Sequence, residues 1–247
     1  MYPRIAISQP RYLPAINYLQ RIYHSDKFIL LDDCQHQRRA FEHRNKIVRP
    51  RGSLQRVEQW LSLQIDKTEG SRPLIKDVKL ISLRDTVFKH SHVVKDIYGI
   101  DSIPYQAFLQ TCLDVARNEK IGDSLVSFTL SQILEIFSFL EISISTEIIL
   151  SSSIPGTSSG SNRILECCLE TGAKTYISGP NGRAYLSPVE FDRNYVQILY
   201  HDYSFPGYIQ VGSGDFLPWM AWIDMLHAMG KQEVADIILS PPCLSVS

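Results

Sequence analysis

Between Cys34 and Gly52 the chain runs CQHQRRAFEHRNKIVRPRG, where Arg38, Arg39, Arg44, Lys46, Arg49 and Arg51 face a single acid, Glu42. Arginine presents planar, bidentate donors that match phosphate and carboxylate. The segment is therefore a candidate anion site, with His36 and His43 among its cations. A solvated basic loop balanced by acids elsewhere has the same composition. Directly ahead stand Asp32 and Asp33. Two adjacent acids closing a strand can orient a histidine, hold a magnesium ion or bind an amine. The plainer alternative is one acid capping a turn and the other pairing with an arginine.

Two loops add to this set. Gln9-Pro10, followed by Tyr12 and Pro14, forms a stiff turn that can present backbone N–H groups to a phosphate ahead of a helix, or simply pack. Ser178-Gly179-Pro180-Asn181-Gly182-Arg183 combines small residues, which allow close backbone approach, with one arginine. Cys34 beside His36 and His43 has the composition of a thiol nucleophile, although a cysteine at a strand end is usually inert. His90 and His92, two apart on a helix, point in different directions and make no metal pair. His201 and His227 are isolated and are expected to be structural. GxSxG, HExxH, P-loop and GxGxxG motifs are absent, and no metal ligands are assigned.

The elements that must position these residues follow from periodicity. RIAIS is a short strand, and the prolines of QPRYLP forbid regular structure after it. Ile16, Leu19 and Ile22, with Tyr18 and Tyr23, fall at helical spacing, and DKFILLD is a buried strand. Strand, helix and strand in about 30 residues make a βαβ unit and imply a parallel sheet. Ligands of such sheets gather beyond the carboxyl ends of the strands, where Gln9-Pro10 and Asp32-Asp33 sit.

Further along, residues 54–65 alternate as a strand, 84–98, 103–117 and 123–141 are helical, and 146–150 form a strand. The Ser/Gly run 151–161 has the composition of a mobile loop. A helix over 162–171 is capped by Ser161 or Asn162 and stopped by Gly172. Strands at 175–178 and 196–200 flank a tight turn at 179–182. An amphipathic helix over 216–229 begins after Pro218, and 241–247 is a flexible tail. The expected fold is α/β: a single domain over 1–240, with a mostly parallel Rossmann-like sheet and added helices.

Composition bounds the function. The chain has 247 residues, 44% of them hydrophobic and 21% charged, with a formal net charge of −1. That is ordinary globular composition, and the charge excludes a general polyanion binder. No nucleic acid is expected as a partner. No apolar run approaches the roughly 18 residues of a spanning helix, so no membrane insertion is expected. The five cysteines fit no CxxC zinc pattern and suit a reducing cytoplasm.

Together these motifs make the chain resemble the WbqC-like family of bacterial proteins. ISQPRYLPAINYLQRI carries the family's glutamine-proline, aromatic, proline and following helix. DKFILLDDCQHQRRAFEHRNKI carries its acid pair, glutamine, basic pair and Arg-Asn: here Asp32, Asp33, Gln35, Arg38, Arg39, Arg44 and Asn45. The likeness resumes at WLSLQI, at His90 with Tyr98, at GAKTYISGPNGRAYL and at FLPWMAWIDMLHAMG with Asp224. Cys34 stands where the family usually has an apolar residue, His43 where asparagine is common, and Ala40 where glycine is common. The two loops also resemble those of adenylyl-transferring enzymes of the pantothenate synthetase type.

The resemblance implies an accessory enzyme of surface-polysaccharide or secondary-metabolite pathways that attaches an acyl or aminoacyl group to an amino sugar or similar amine. On this reading His43 or Asp33 accepts the amine proton, while Arg44, Asn45 and Gln35 orient the reacting groups or stabilise the oxyanion. Gln9, Tyr12, Asp32, His36, Arg38, Arg39, His90, Ser178, Gly179, Arg183 and Tyr185 bind substrate. The donor is a phosphopantetheine-bound thioester on an acyl or peptidyl carrier protein, and the acceptor is a small amine or a sugar nucleotide. The alternatives are an ATP- and Mg²⁺-dependent ligase or nucleotidyltransferase, and a non-catalytic binding module.

Overall fold

The computed structural model describes residues 2–53, 55–66 and 73–246. Leu54, at the start of one expected strand, and Ser247, at the end of the expected tail, lie outside them.

β1 (Arg4–Ser8), α1 (Ile16–Tyr23) and β2 (Lys27–Leu30) form the expected βαβ unit, with β1 and β2 parallel. After the hairpin β3 (Arg44–Arg51) and β4 (Gln55–Ser62) the chain enters a helical run. This comprises α2 (Leu83–Tyr98), α3 (Ile103–Phe108), a π-helical stretch (Leu109–Asp114), α4 (Val115–Arg117) and α5 (Leu125–Phe139). Then come β5 (Glu147–Leu150), α6 (Gly160–Glu170), β6 (Thr175–Ser178), α7 (Pro188–Arg193), β7 (Gln197–His201), α8 (Trp222–Leu239) and β8 (Leu244–Val246).

The main sheet has the order β5-β2-β1-β6-β7-β8, parallel except for the antiparallel edge strand β8. The fold is thus the expected α/β, Rossmann-like arrangement. Its strands are short apolar runs because both faces are covered. Alternation divides β1 between two cores: Ile5 and Ile7 pack with Ile164, Cys167 and Phe191, while Ala6 packs on the side of α1, α5 and α8. The chain leaves β1 toward β2 and β5 and later returns to β1's other side as β6. The crevice where ligands gather in such sheets therefore lies between the carboxyl ends of β1 and β6.

Several local expectations change. The 151–161 run is not loose: Ser151–Ser153 is a 3-10 turn, and Ser151 is fully buried beneath the acid pair. α6 starts at Gly160, and its first flanking residue, Ser159, makes no side-chain cap. The turn at 179–182 is a 3-10 helix, Pro180–Ala184. The last long helix starts only at Trp222, because Trp219 sits at φ 63°, which no helix accommodates; it then continues past a kink at Gly230 to Leu239. Leu244–Val246, in the segment expected as a flexible tail, pairs with β7, placing Leu244 opposite His201. The second half of the basic segment is not a loop but strand β3. Its hairpin is pinned by Arg56, which donates to the carbonyls of Gln210, Val211, Gly212 and Gly214.

Candidate functional site

The acid pair ends β2, as expected, but its chemistry is already used. Asp32 accepts from Ser151 Oγ at 3.0 Å and from the Ser152 N–H and Oγ at 2.8 and 2.7 Å. Asp33 accepts from Ser151 Oγ at 2.7 Å and pairs with Arg163 of α6 at 2.7 Å. Arg163 also donates to the carbonyls of Ser151, Ile154 and Pro155. The plainer sequence reading describes this pair: one acid holds a turn and the other an arginine.

At the switch point stand two guanidinium groups instead, that of Arg21 buried and that of Arg11 half-buried. Arg11 lies in the loop after β1, and Arg21 lies on α1, which is buried on nearly every side. Tyr18 sits against both, with Arg11 5.6 Å and Arg21 5.9 Å from its ring centre, and Phe41 flanks Arg11 at 5.5 Å. Among the described residues neither arginine forms a salt bridge. Arg11 Nε, and Arg21 Nε and Nη1, are buried without a hydrogen-bond partner. Burial, together with the charge of Arg11, lowers the Arg21 pKa to about 10. Gly179 lies alongside this group: a Cβ there would stand 3.5 Å from the Arg21 guanidinium carbon, an ordinary contact. Tyr176 and Tyr185 lie within electrostatic reach of Arg21. His201, at the end of β7, is wholly buried with both ring nitrogens unpartnered, and burial takes its pKa to about 4. Buried donors without partners are uncommon in folded proteins, and a group of them at one strand edge is a candidate site.

Arg11 also lies near a second cluster. The Tyr12 N–H donates to the carbonyls of Phe41 and Glu42, tying the β1 loop to the basic segment. There His36 Nε2 and His43 Nδ1 are 3.0 Å apart, and Glu42 is buried beside them. Burial raises the Glu42 carboxyl to about 7, only partly opposed by Arg11 and Arg44. The backbone N–H groups of Glu42 and Gln37 lie near this carboxylate, but neither of its oxygens has a partner in hydrogen-bonding geometry. Burial lowers both histidines, His43 to about 4, so both rings are neutral.

The structure therefore separates the residues expected at the site. Gln9, Ser178, Gly179 and Tyr185 gather at the switch point, where Gln9 Nε2 contacts Cys34 Sγ at 3.2 Å. Burial pushes the Cys34 thiol up, which opposes a nucleophilic role. Arg44 lies over the Trp60 ring at 4.4 Å and donates to the Arg39 carbonyl. Asn45 is buried and spans from the Leu13 carbonyl to the Lys46 N–H, so it joins β3 to the β1 loop. Gln35, Arg38 and Arg39 are exposed. Tyr12 and His90 bond each other at 2.9 Å inside the helical core. Arg183 is turned away, pairing with Asp202 at 2.8 Å and covering Tyr200.

Arg11, Arg21 and Glu42 escaped the sequence reading. Asn17, Gln20 and Arg21 share one polar face of α1, a pattern that in sequence is that of a solvated side, whereas the structure buries all three. Glu42 did carry a signal, as the one acid in the basic segment.

A mostly parallel sheet with a polar switch point and a basic segment beside it defines an α/β protein of Rossmann-like architecture. The chain belongs to the WbqC-like protein family, whose model matches residues 9–236. It is similar to the uncharacterized protein Rv1507c of Mycobacterium tuberculosis (strain ATCC 25618 / H37Rv), with 25% identity over 230 residues that cover 93% of this chain and 95% of that one. No solved structure matches it. No helix among the described residues is long and apolar enough to cross a membrane.

Proposed function

We propose that the protein is a transferase that forms an amide on an amino sugar or similar amine, with acyl or aminoacyl thioester as donor and a phosphate-bearing ligand anchored at the switch point. The observation that carries this reading is the neighbouring pair Arg11, half-buried, and Arg21, buried, in which Arg11 Nε and Arg21 Nε and Nη1 are enclosed without a hydrogen-bond partner. Buried cations are retained when an anion compensates them, and arginine forks match phosphate oxygens. The phosphate belongs to a sugar nucleotide or to the phosphopantetheine arm of a carrier protein. Polysaccharide and secondary-metabolite assembly use both kinds of compound.

In the reaction the amine nitrogen attacks the thioester carbonyl, the C–S bond breaks, and the departing thiolate takes up the proton that the nitrogen loses. The chemistry needs positioning more than a strong base. Of the two proton acceptors expected from the sequence, Asp33 is held by Arg163 and has no part in this scheme.

The test incubates purified protein with an acyl- or aminoacyl-pantetheine thioester and amino-sugar nucleotides, following thiol release and amide mass. Protein-dependent thiol release that disappears in Arg21→Met supports the reading. Thiol release no faster than the uncatalysed rate, across donors and acceptors, overturns it. A parallel arm adds ATP and Mg²⁺. Pyrophosphate release there favours the ligase or nucleotidyltransferase alternative, for which the Rossmann-like strand order is the supporting observation. Tight binding of a phosphorylated compound with no turnover in either arm favours a binding module.

A further inference from the structure

We propose that His36, Glu42 and His43 form a binding site for one divalent transition-metal ion of the zinc type. The three side chains come from the short stretch between β2 and the start of β3, and all three are buried. One ligand atom from each lies within 4.8 Å of the other two. His36 Nε2 and His43 Nδ1 are 3.0 Å apart. Metal–nitrogen bonds of about 2.0–2.1 Å in a tetrahedral site set two ligand nitrogens roughly 3.3–3.4 Å apart. The rings need to part by only a few tenths of an ångström to admit an ion between them.

Glu42 supplies the charge argument. It is 1% exposed, and both carboxylate oxygens lack a hydrogen-bond partner. A buried carboxylate in that state calls for a proton or a cation. Arg11 attracts it without bonding to it.

The donor set decides the class of ion. Two imidazoles and one carboxylate suit zinc, iron or cobalt, whereas magnesium and calcium favour oxygen ligands throughout. Three protein ligands leave a coordination position open, which is the pattern of a site that receives a ligand rather than one that only braces a fold. With Arg11 alongside, that position suits an oxygen of an anionic group. The metal site does not rest on the transferase reading.

The full-length protein, stripped with a chelator, is titrated with Zn²⁺ and separately with Co²⁺. The expected result is one equivalent of zinc retained through gel filtration, and cobalt ligand-field bands that zinc abolishes. Glu42→Gln keeps the side-chain shape and is expected to weaken binding by at least about tenfold, with His36→Asn doing the same. Circular dichroism checks that each variant folds, and two separate positions guard against loss of either one. Absence of stoichiometric binding in the wild type overturns the proposal, as does binding unchanged in both folded variants, which puts the ion elsewhere. Arg21→Met is expected to leave metal binding intact, so this result stands or falls independently of amide formation.

Discussion

The Arg163 guanidinium closes on the Asp33 carboxylate at 2.7 Å, with the two side chains only 6% and 17% exposed. This contact converts an acid pair with catalytic composition into a joint. It fastens the end of β2 to α6 and, through the carbonyls of Ser151, Ile154 and Pro155, to the turn that follows β5.

Removing one side of such a pair strands a buried charge, which costs about 3–5 kcal/mol. Arg163→Ala should lower unfolding stability by that order, measured by urea denaturation. Arg163→Met combined with Asp33→Asn should cost clearly less than the two single changes added together, because no lone charge remains. A double variant that is strictly additive would remove the joint from this account.

Arg21 predicts the opposite balance. Its charge is buried without a carboxylate partner, and burial holds its pKa down at about 10. Arg21→Met replaces that uncompensated charge with an apolar chain of similar length. The ligand-free protein should become more stable, on the order of 1–3 kcal/mol, while losing its phosphorylated ligand. Thermal melts with and without a sugar nucleotide separate the two effects. A variant that melts lower and still binds would show that Arg21 is structural.

Much of the fold was legible because it rests on local patterns. RIAIS and DKFILLD show their burial in their own composition, and the approximate positions of α2, α5 and α6 follow from apolar spacing. The site was less legible because its partners are distant in sequence. Arg163 reaches Asp33 across 130 residues, and Ser151 reaches Asp32 across 119. A serine-rich run has the composition of a loose loop until its hydroxyls find an acid. Nor could the sequence separate Arg21, which is buried and unpaired, from Arg183, which is half-exposed and neutralised by Asp202.

Asp224, in α8, gathers hydroxyls from two distant segments: Tyr98 donates to Oδ1 and Tyr208 to Oδ2, each at 2.7 Å. The Val48 N–H lies 3.3 Å from Oδ1, so the carboxylate ties the hairpin to the helical layer. Asp224→Ala leaves these donors without their acceptor and should destabilise by about 2–4 kcal/mol. Tyr98→Phe removes one donor and should cost about 1–2 kcal/mol. Urea midpoints that fall in this order support the network, and a Tyr98→Phe loss equal to that of Asp224→Ala argues against it.

His201 sets a pH dependence. Burial takes its pKa from the ordinary 6.5 to about 4, with the charges of Arg21 and His24 acting in the same direction and Asp202 opposing. The unfolded chain therefore binds the proton more readily than the folded one. The stability this lends is fully present above pH 6.5 and is lost as pH falls through 4. A shift of that size corresponds to roughly 3 kcal/mol. His43 and His90, also lowered to about 4, add to the slope in the same window. His201→Gln should flatten the acid limb by one group's share. Urea denaturation of both proteins at pH 7 and pH 4.5 measures this, and equal losses in the two would mean that burial does not hold the His201 ring neutral in the folded state.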